Sequence, residues 1–170
     1  MDSCGSLFYL SYKYMAEELK IAAGTKEDKY TLLYKQIAEL VECESDPIAR
    51  MANIAAMIHQ TFNYWWTGFY RVVDNELVLG CFQGPIACTR IKYGKGVCGT
   101  AWQQGKTIVV EDVEMFPGHI ACSSASRSEI VVPIFDDSRN VIAVLDIDSE
   151  HLAMFDKTDK VWLEKIVKFL

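Results

Sequence analysis

The residues best suited to chemistry lie in the last third of the chain. Cys122 lies among small polar residues, in a segment where neither a helix nor tight core packing is expected. A strand-like segment at residues 130–135 follows, and a second one at residues 140–148 carries Asp146 and Asp148 where apolar residues would be expected. A thiol and carboxyl groups therefore meet around one predicted hairpin.

Asp146 and Asp148 lie on the same face of their predicted strand, because side chains alternate between the two faces of a sheet. Glu129, at the start of the preceding strand, could lie beside them. Such crowding raises the pKa of at least one carboxyl group, through repulsion between like charges and loss of hydration. The cluster would suit an ammonium group, a divalent metal ion or proton donation. The alternative for Asp148 is that it simply ends the strand.

Three of the six cysteines, Cys88, Cys98 and Cys122, fall in predicted loops. A zinc site is disfavoured, because these cysteines are 10 and 24 residues apart and no closely paired cysteines or histidines occur. His119 could activate a thiol for acyl transfer, but no further residues support that chemistry. Dithiol redox chemistry remains. The other cysteines are interpreted as packing residues, Cys43 and Cys81, or as part of a tail, Cys4.

The overall composition narrows the classes of function. The chain has 170 residues and a net charge of −6, with scattered lysines, so general nucleic-acid binding is not expected. No apolar segment approaches the ~20 residues needed to span a bilayer. Residues 94–99 form a GxGxxG pattern, but antiparallel hairpins surround it, whereas a nucleotide site needs a parallel βαβ unit. A single cytoplasmic domain that acts on small molecules or proteins is expected.

Hydrophobic periodicity and turn signals predict the elements that position these residues. An appended helix at residues 6–22 belongs to an N-terminal extension, residues 1–24, and one domain occupies residues 25–170. The predicted fold is α+β, with a central antiparallel sheet flanked by N-terminal and C-terminal helices. Helices are predicted from Lys26, with apolar positions as far as Val41, from Asp46-Pro47, with an apolar stripe as far as Phe62, at residues 100–104 and from about Asp156. Strands are predicted at residues 65–73, 76–82, 107–111, 129–135 and 140–148. No periodicity is detected from 112 to 128.

Several motifs in order resemble the free methionine-(R)-sulfoxide reductases built on a GAF domain. The resemblance covers about residues 30–170 and includes all three loop cysteines together with Glu129. GAF domains that bind cyclic nucleotides or tetrapyrroles lack this set of cysteines. The matching segments are residues 66–70, 80–91, 94–101, 111–113, 118–126 and 144–149.

This resemblance implies a role for each candidate residue. Cys122 would attack the sulfoxide, Cys88 would be the resolving partner, and Cys98 would be a third redox cysteine, with the division between Cys88 and Cys98 left open. The acids Glu129, Asp146 and Asp148 would hold the substrate's ammonium group and supply a proton to the sulfoxide oxygen. The aromatic rings of Trp66 and Tyr70 would form the wall around the methyl and sulfur end.

The resemblance also implies the partners. The substrate would be free methionine sulfoxide. Thioredoxin, which receives electrons from NADPH through thioredoxin reductase, would restore the thiols. No bound cofactor, metal, nucleic acid or membrane is expected, and a homodimer is expected by analogy with GAF relatives. Two alternatives stay open, namely a ligand-sensing GAF module without catalysis and a structural dimerisation domain.

Overall fold

The computed structural model describes residues 18–42, 44–118 and 125–170. Within them, a six-stranded antiparallel sheet runs in the order β3-β2-β1-β6-β5-β4, with helices on both faces. The predicted α+β class and antiparallel sheet are therefore confirmed. The helices are α1 (Lys26–Val41), α2 (Pro47–Phe62), α3 (Gly96–Gln104) and α4 (Lys157–Ile166), and the strands are β1 (Trp66–Val73), β2 (Glu76–Gln83), β3 (Arg90–Lys92), β4 (Ile108–Val110), β5 (Ser128–Phe135) and β6 (Val141–Ser149).

The ends of the long helices follow from their capping residues. Thr25 forms a capping box with Asp28 at the start of α1, and the Asp46 carboxylate accepts the N–H groups of Ile48 and Ala49 at the start of α2. Asn63 ends α2 in the left-handed conformation, at φ 54°. The predicted starts of these two helices are thus confirmed.

Two predicted helices differ from the structure. Most of the helix predicted at residues 6–22 lies outside the described residues, and residues 18–22 are not helical. Helix α3 begins at Gly96 and not at Thr100. It continues through Gly99 because that glycine packs closely on β3, where a Cβ atom would lie 2.4 Å from the Lys92 carbonyl oxygen.

The sheet separates two hydrophobic cores. One core joins α1, α2 and α4 to the face of the sheet that carries Phe69, Leu145 and Ile147. The other core, smaller, lies between α3 and the opposite face, which carries Tyr70 and Val144. This second side contains the candidate site, because Asp146 and Asp148 alternate with the residues of the first core.

A buried carboxylate joins the helices of the larger core. Asp159, on α4, is fully buried and accepts hydrogen bonds from Tyr30 Oη at 2.9 Å and Tyr64 Oη at 3.1 Å. Lys26 Nζ, at the start of α1, lies 2.5 Å from its other oxygen. This network ties α1, α4 and the segment before β1 together. None of the helices in the described ranges combines the length and apolar character needed to cross a membrane.

Candidate active site

Strand register aligns an aromatic ring and two acids across the middle of the sheet. Trp66 on β1 lies opposite Asp148 on β6, and Asp148 lies opposite Glu129 on β5. Asp146 lies two residues along β6, opposite Gly68. The prediction that Asp146 and Asp148 share a face, and that Glu129 lies beside them, agrees with this register.

These side chains line a pocket on the α3 side of the sheet. Its floor is formed by β1, β5 and β6, and its walls by the start of α3 and by the segment between β2 and β3. The carboxyl groups lie at one part of the wall and aromatic or aliphatic groups at another. The lining residues include Trp65, Trp66, Tyr70, Pro85, Ile86, Val97, Cys98, Ser126, Glu129, Asp146 and Asp148.

Two glycines allow the Trp66 ring to lie flat within this wall. A Cβ atom at Gly68 would lie 2.5 Å from Trp66 Cη2, and one at Gly84 would lie 2.9 Å from Trp66 Cδ1. Gly84 also has φ +124°, a conformation that side chains rarely adopt. The indole therefore packs beside Phe82 and Tyr70, with ring-centroid separations of 5.4 and 5.9 Å.

The polar tips of the same two aromatic residues hold the β2–β3 segment. Trp66 Nε1 donates to the Pro85 carbonyl oxygen at 3.1 Å, and Tyr70 Oη donates to the Cys88 carbonyl oxygen at 2.9 Å. Burial keeps the pKa of Tyr70 well above its usual range, so its hydroxyl remains a hydrogen-bond donor. Each end of this short segment is thus fixed to β1.

Cys88 and Cys98 differ in state. Cys88 is disulfide-bonded, whereas Cys98, on α3, is a free thiol that is 4% exposed. Cys98 Sγ lies 3.9 Å from Glu129 Oε1. Burial, and then the nearby acids Asp146 and Glu129, raise the pKa of Cys98 well above its usual value. The Cys98 thiol is therefore neutral, and a neutral thiol is a poor nucleophile.

Two of the three carboxyl groups hold their protons tightly. Burial raises the pKa of Glu129 well above its ordinary value, and the charges of Asp146 and Asp148 raise it further. Burial also raises the pKa of Asp146, with a further contribution from Asp148. Asp146 Oδ1 is buried and accepts no hydrogen bond from the residues that the structure describes. This side of the pocket therefore offers protonated acids together with an unused acceptor.

Asp148 differs from its two neighbours. Burial raises its pKa to about 6, and a hydrogen bond from Ser126 opposes that rise. Asp148 is therefore the carboxyl group of this cluster that is most readily ionised near neutral pH. The pocket can thus place one negative charge beside two neutral acids.

Three residues of the cluster could also hold a metal ion, since the ligand atoms of Cys98, Glu129 and Asp146 lie within 4.8 Å of one another. A metal ion would have to displace protons from these groups, whose pKa values burial raises. A cationic group on an organic ligand, paired with Asp148, requires no such loss of protons.

Six of the eight predicted site residues line the pocket, namely Trp66, Tyr70, Cys98, Glu129, Asp146 and Asp148. Cys88 lies next to it, in the segment that Tyr70 holds, and Cys122 lies outside the described residues, as do Cys4, Cys43 and His119. Cys81 packs against the larger core, as its predicted packing role requires.

Sequence reasoning assigned no role to Ser126, Lys95 or Trp65, all of which line the pocket. Ser126 could not have been found from register. Continued pairing of Glu129 with Asp148 and of Ser128 with Ser149 would place residue 126 opposite residue 151. Ser126 reaches Asp148 through the hydrogen bond from its hydroxyl, which depends on the tertiary structure. The sequence around Lys95 and Trp65 carries no signal either.

The chain is similar in sequence to GAF-domain proteins and to free methionine-R-sulfoxide reductases. The profile of the GAF domain matches residues 48–168. "GAF domain-containing protein A" of Dictyostelium discoideum is 55% identical over 92% of this chain and 99% of its own length. The free methionine-R-sulfoxide reductase of Escherichia coli is 42% identical over 84% of this chain and 86% of its own length.

The chain is also similar to a reductase of known structure. The free methionine-R-sulfoxide reductase from Neisseria meningitidis, solved in complex with its substrate, is 51% identical to this chain. It superimposes with a TM-score of 0.87 and covers 89% of this chain and 92% of its own. The similarity therefore extends over nearly the whole of both chains.

Proposed function

Because the chain belongs to the GAF-domain family of free methionine-R-sulfoxide reductases, we propose that it reduces free methionine-(R)-sulfoxide to methionine. The chain is accordingly an oxidoreductase. The observation that carries the proposal is a single pocket that combines three carboxyl groups, two stacked aromatic rings and the segment that holds Cys88. Such a pocket complements an amino acid with a charged end and a methyl sulfoxide end.

The two ends of the substrate would meet different chemistry. The ammonium group pairs with Asp148, the carboxyl group most readily ionised. The methyl and sulfur lie against the faces of Trp66 and Tyr70, where polarisable sulfur packs well on aromatic rings. Glu129 and Asp146, which hold their protons, serve the sulfoxide oxygen.

The first chemical step oxidises Cys122. Its thiolate attacks the sulfoxide sulfur while Glu129 or Asp146 protonates the oxygen, which lowers the barrier to breaking the sulfur–oxygen bond. The oxygen passes to Cys122, which becomes a sulfenic acid, and methionine is released. The sulfoxide gains two electrons and Cys122 loses two, so no metal or organic cofactor is required.

The second step forms a disulfide. The Cys88 thiol attacks the sulfenic acid of Cys122, and the oxygen leaves as water. Cys88 suits this role because it is disulfide-bonded and lies in the segment anchored by Tyr70. Cys98 suits it less well, because its thiol is buried, free and held neutral.

The disulfide must then be reduced from outside. Thioredoxin is the proposed dithiol reductant, and it receives electrons from NADPH through thioredoxin reductase. The cytoplasm is the proposed compartment, because thiols are kept reduced there. We also propose a homodimer. It would bury apolar side chains of the helices that are about 40% exposed, namely Leu40, Ile48 and Val161. Light scattering on the purified protein tests the homodimer.

The activity is tested by incubating the reduced protein with thioredoxin, thioredoxin reductase and NADPH. Methionine should appear from free (R)-sulfoxide, in step with NADPH consumption, and the (S)-sulfoxide should serve as the matched control. Binding of the (R)-sulfoxide without any methionine would instead identify a ligand-sensing GAF module.

Single-turnover measurements test the cysteine roles. Cys122→Ser should release no methionine from excess sulfoxide, whereas Cys88→Ser should release one equivalent per chain and then stop. Cys81→Ser is the control, since Cys81 packs against the larger core and does not line the pocket. A full first turnover in Cys122→Ser would exclude it as the nucleophile.

A further inference from the structure

Ser126 is a buried residue at the edge of the pocket that the proposed reaction does not use. It is 7% exposed, and its Oγ donates to Asp148 Oδ1 at 2.5 Å. The backbone beside it is fixed, because the Arg127 amide donates to the Ser149 carbonyl oxygen. The hydroxyl is therefore held in place against one carboxylate oxygen.

The three acids of the pocket cannot all be ionised, because like charges repel strongly when they are buried together. The hydrogen-bond donors around the three carboxyl groups differ, and this difference determines which group is ionised. Glu129 has two acids beside it, and its hydrogen bond from Cys98 comes from a thiol, a weak donor, at 3.9 Å. Among the described residues, Asp146 likewise has only that thiol and Glu129 as donors. Asp148 receives a hydroxyl hydrogen bond, and donors of this kind stabilise the charged form of a carboxyl group.

We propose that Ser126 is a positioning residue that makes Asp148 the charged member of the cluster, and so leaves the proton for the sulfoxide oxygen on Glu129 and Asp146. This inference rests on the proposed function and deepens it. One hydroxyl would then separate the group that reads the substrate's ammonium from the groups that donate the proton. The pKa of Asp148, about 6, agrees with this division.

Other charged or titratable groups lie around Asp148. On the same strand lies Asp146, and opposite on β5 lies Glu129. The groups on the remaining elements around the pocket are Cys98 on α3, Tyr70 on β1 and Lys95 before α3. Since replacement of Ser126 leaves all of these in place, a change in the titration of Asp148 would report on the hydroxyl.

The test compares Ser126→Ala with Ser126→Thr and with a matched control, Ser128→Ala. Ser128 is also buried, but its hydroxyl donates to the His151 carbonyl oxygen at 2.6 Å and not to an acid. The carboxyl carbon of Asp148 is followed by carbon-13 NMR from pH 4 to 9 in the reduced, substrate-free protein. The same variants are assayed for kcat/KM over the same pH range.

Loss of the hydroxyl should raise the pKa of Asp148 by about one pH unit, the effect expected for one hydrogen bond to a charged group. The acid limb of the kcat/KM profile should move upward by the same amount, because ammonium binding requires ionised Asp148. At pH 6 the loss would be about fivefold, and it should shrink as the pH rises. Ser126→Thr should titrate as the wild type does.

The inference is overturned if Asp148 titrates at the same pH in wild type and Ser126→Ala, or if Ser128→Ala moves it equally. If Ser126→Ala does not fold, Ser126→Gly provides the same comparison. Failure of the proposed function would look different, because the wild type would then release no methionine. The NMR titration would still decide whether Ser126 sets the charge of Asp148.

Discussion

Asp148→Asn should make the substrate-free protein more stable at alkaline pH while it weakens catalysis. The pKa of Asp148 is about 6 in the folded protein, against an ordinary value of 3.8. Because the folded value is the higher one, folding takes up a proton between these two pH values. The contribution of this group to stability is therefore full below about pH 4 and is lost as the pH rises through about 6.

The difference between 3.8 and about 6 corresponds to about 3 kcal/mol of unfolding free energy. Asparagine does not ionise, and its side-chain oxygen can still accept the Ser126 hydrogen bond. The variant should therefore match the wild type at pH 4 and exceed it by up to about 3 kcal/mol at pH 8. The substitution also removes the Asp148 charge, which raises the pKa values of Glu129 and Asp146. This loss should further increase the stability of the variant at alkaline pH.

Urea unfolding at pH 4, 6 and 8, with reductant present so that no disulfide contributes, measures this difference. Asp136→Asn is the control with the opposite sign. Asp136 lies in the exposed turn between β5 and β6, where hydrogen bonds from Asn140 lower its pKa. Its stabilisation is present above its ordinary pKa and lost as the pH falls, so this variant should lose stability at pH 8. A stability difference for Asp148→Asn that does not change with pH would refute the reasoning.

Two further predictions concern substrate selection and the larger core. N-acetylated methionine sulfoxide should react about 10⁴-fold less efficiently than the free amino acid, because it lacks the ammonium group that pairs with the Asp148 carboxylate. Asp148→Asn should narrow the ratio of the two efficiencies in competition kinetics. Comparable wild-type efficiencies on the two substrates would exclude this role. Asp159→Asn should lower the unfolding free energy by about 2 kcal/mol, because Tyr30, Tyr64 and Lys26 would lose a charged hydrogen-bond acceptor. An unchanged urea midpoint would contradict it, and exposed Asp137→Asn is the control.

The sequence correctly predicted which residues of β6 face the pocket, because the alternation of side chains along a strand is a local property. The two-residue period of β6 assigned Asp146 and Asp148 to one face, and the structure agrees. The register that aligns Glu129 with Asp148 and Trp66 depends on strand pairing, so the sequence alone could only suggest it.

The parts that sequence reasoning missed depend on tertiary contacts. Gly96 and Gly99 suggested a loop, because glycine disfavours helices, yet both lie in α3. Close packing against Lys92 leaves no room for a side chain at residue 99 and fixes the helix there. The neutral state of Cys98 likewise follows from burial beside acids on other strands, which a spacing of cysteines does not show.

The double use of Trp66 and Tyr70 limits how this enzyme could be adapted to larger sulfoxides. Their rings bound the pocket, while their N–H and O–H groups hold the segment that carries Cys88. Trimming either ring to admit a bulkier substituent would also release that segment, so an engineered gain in substrate range would come with slower formation of the proposed disulfide. Val97 lines the same pocket from α3. Replacing it with a smaller residue would enlarge the pocket and leave both hydrogen bonds in place.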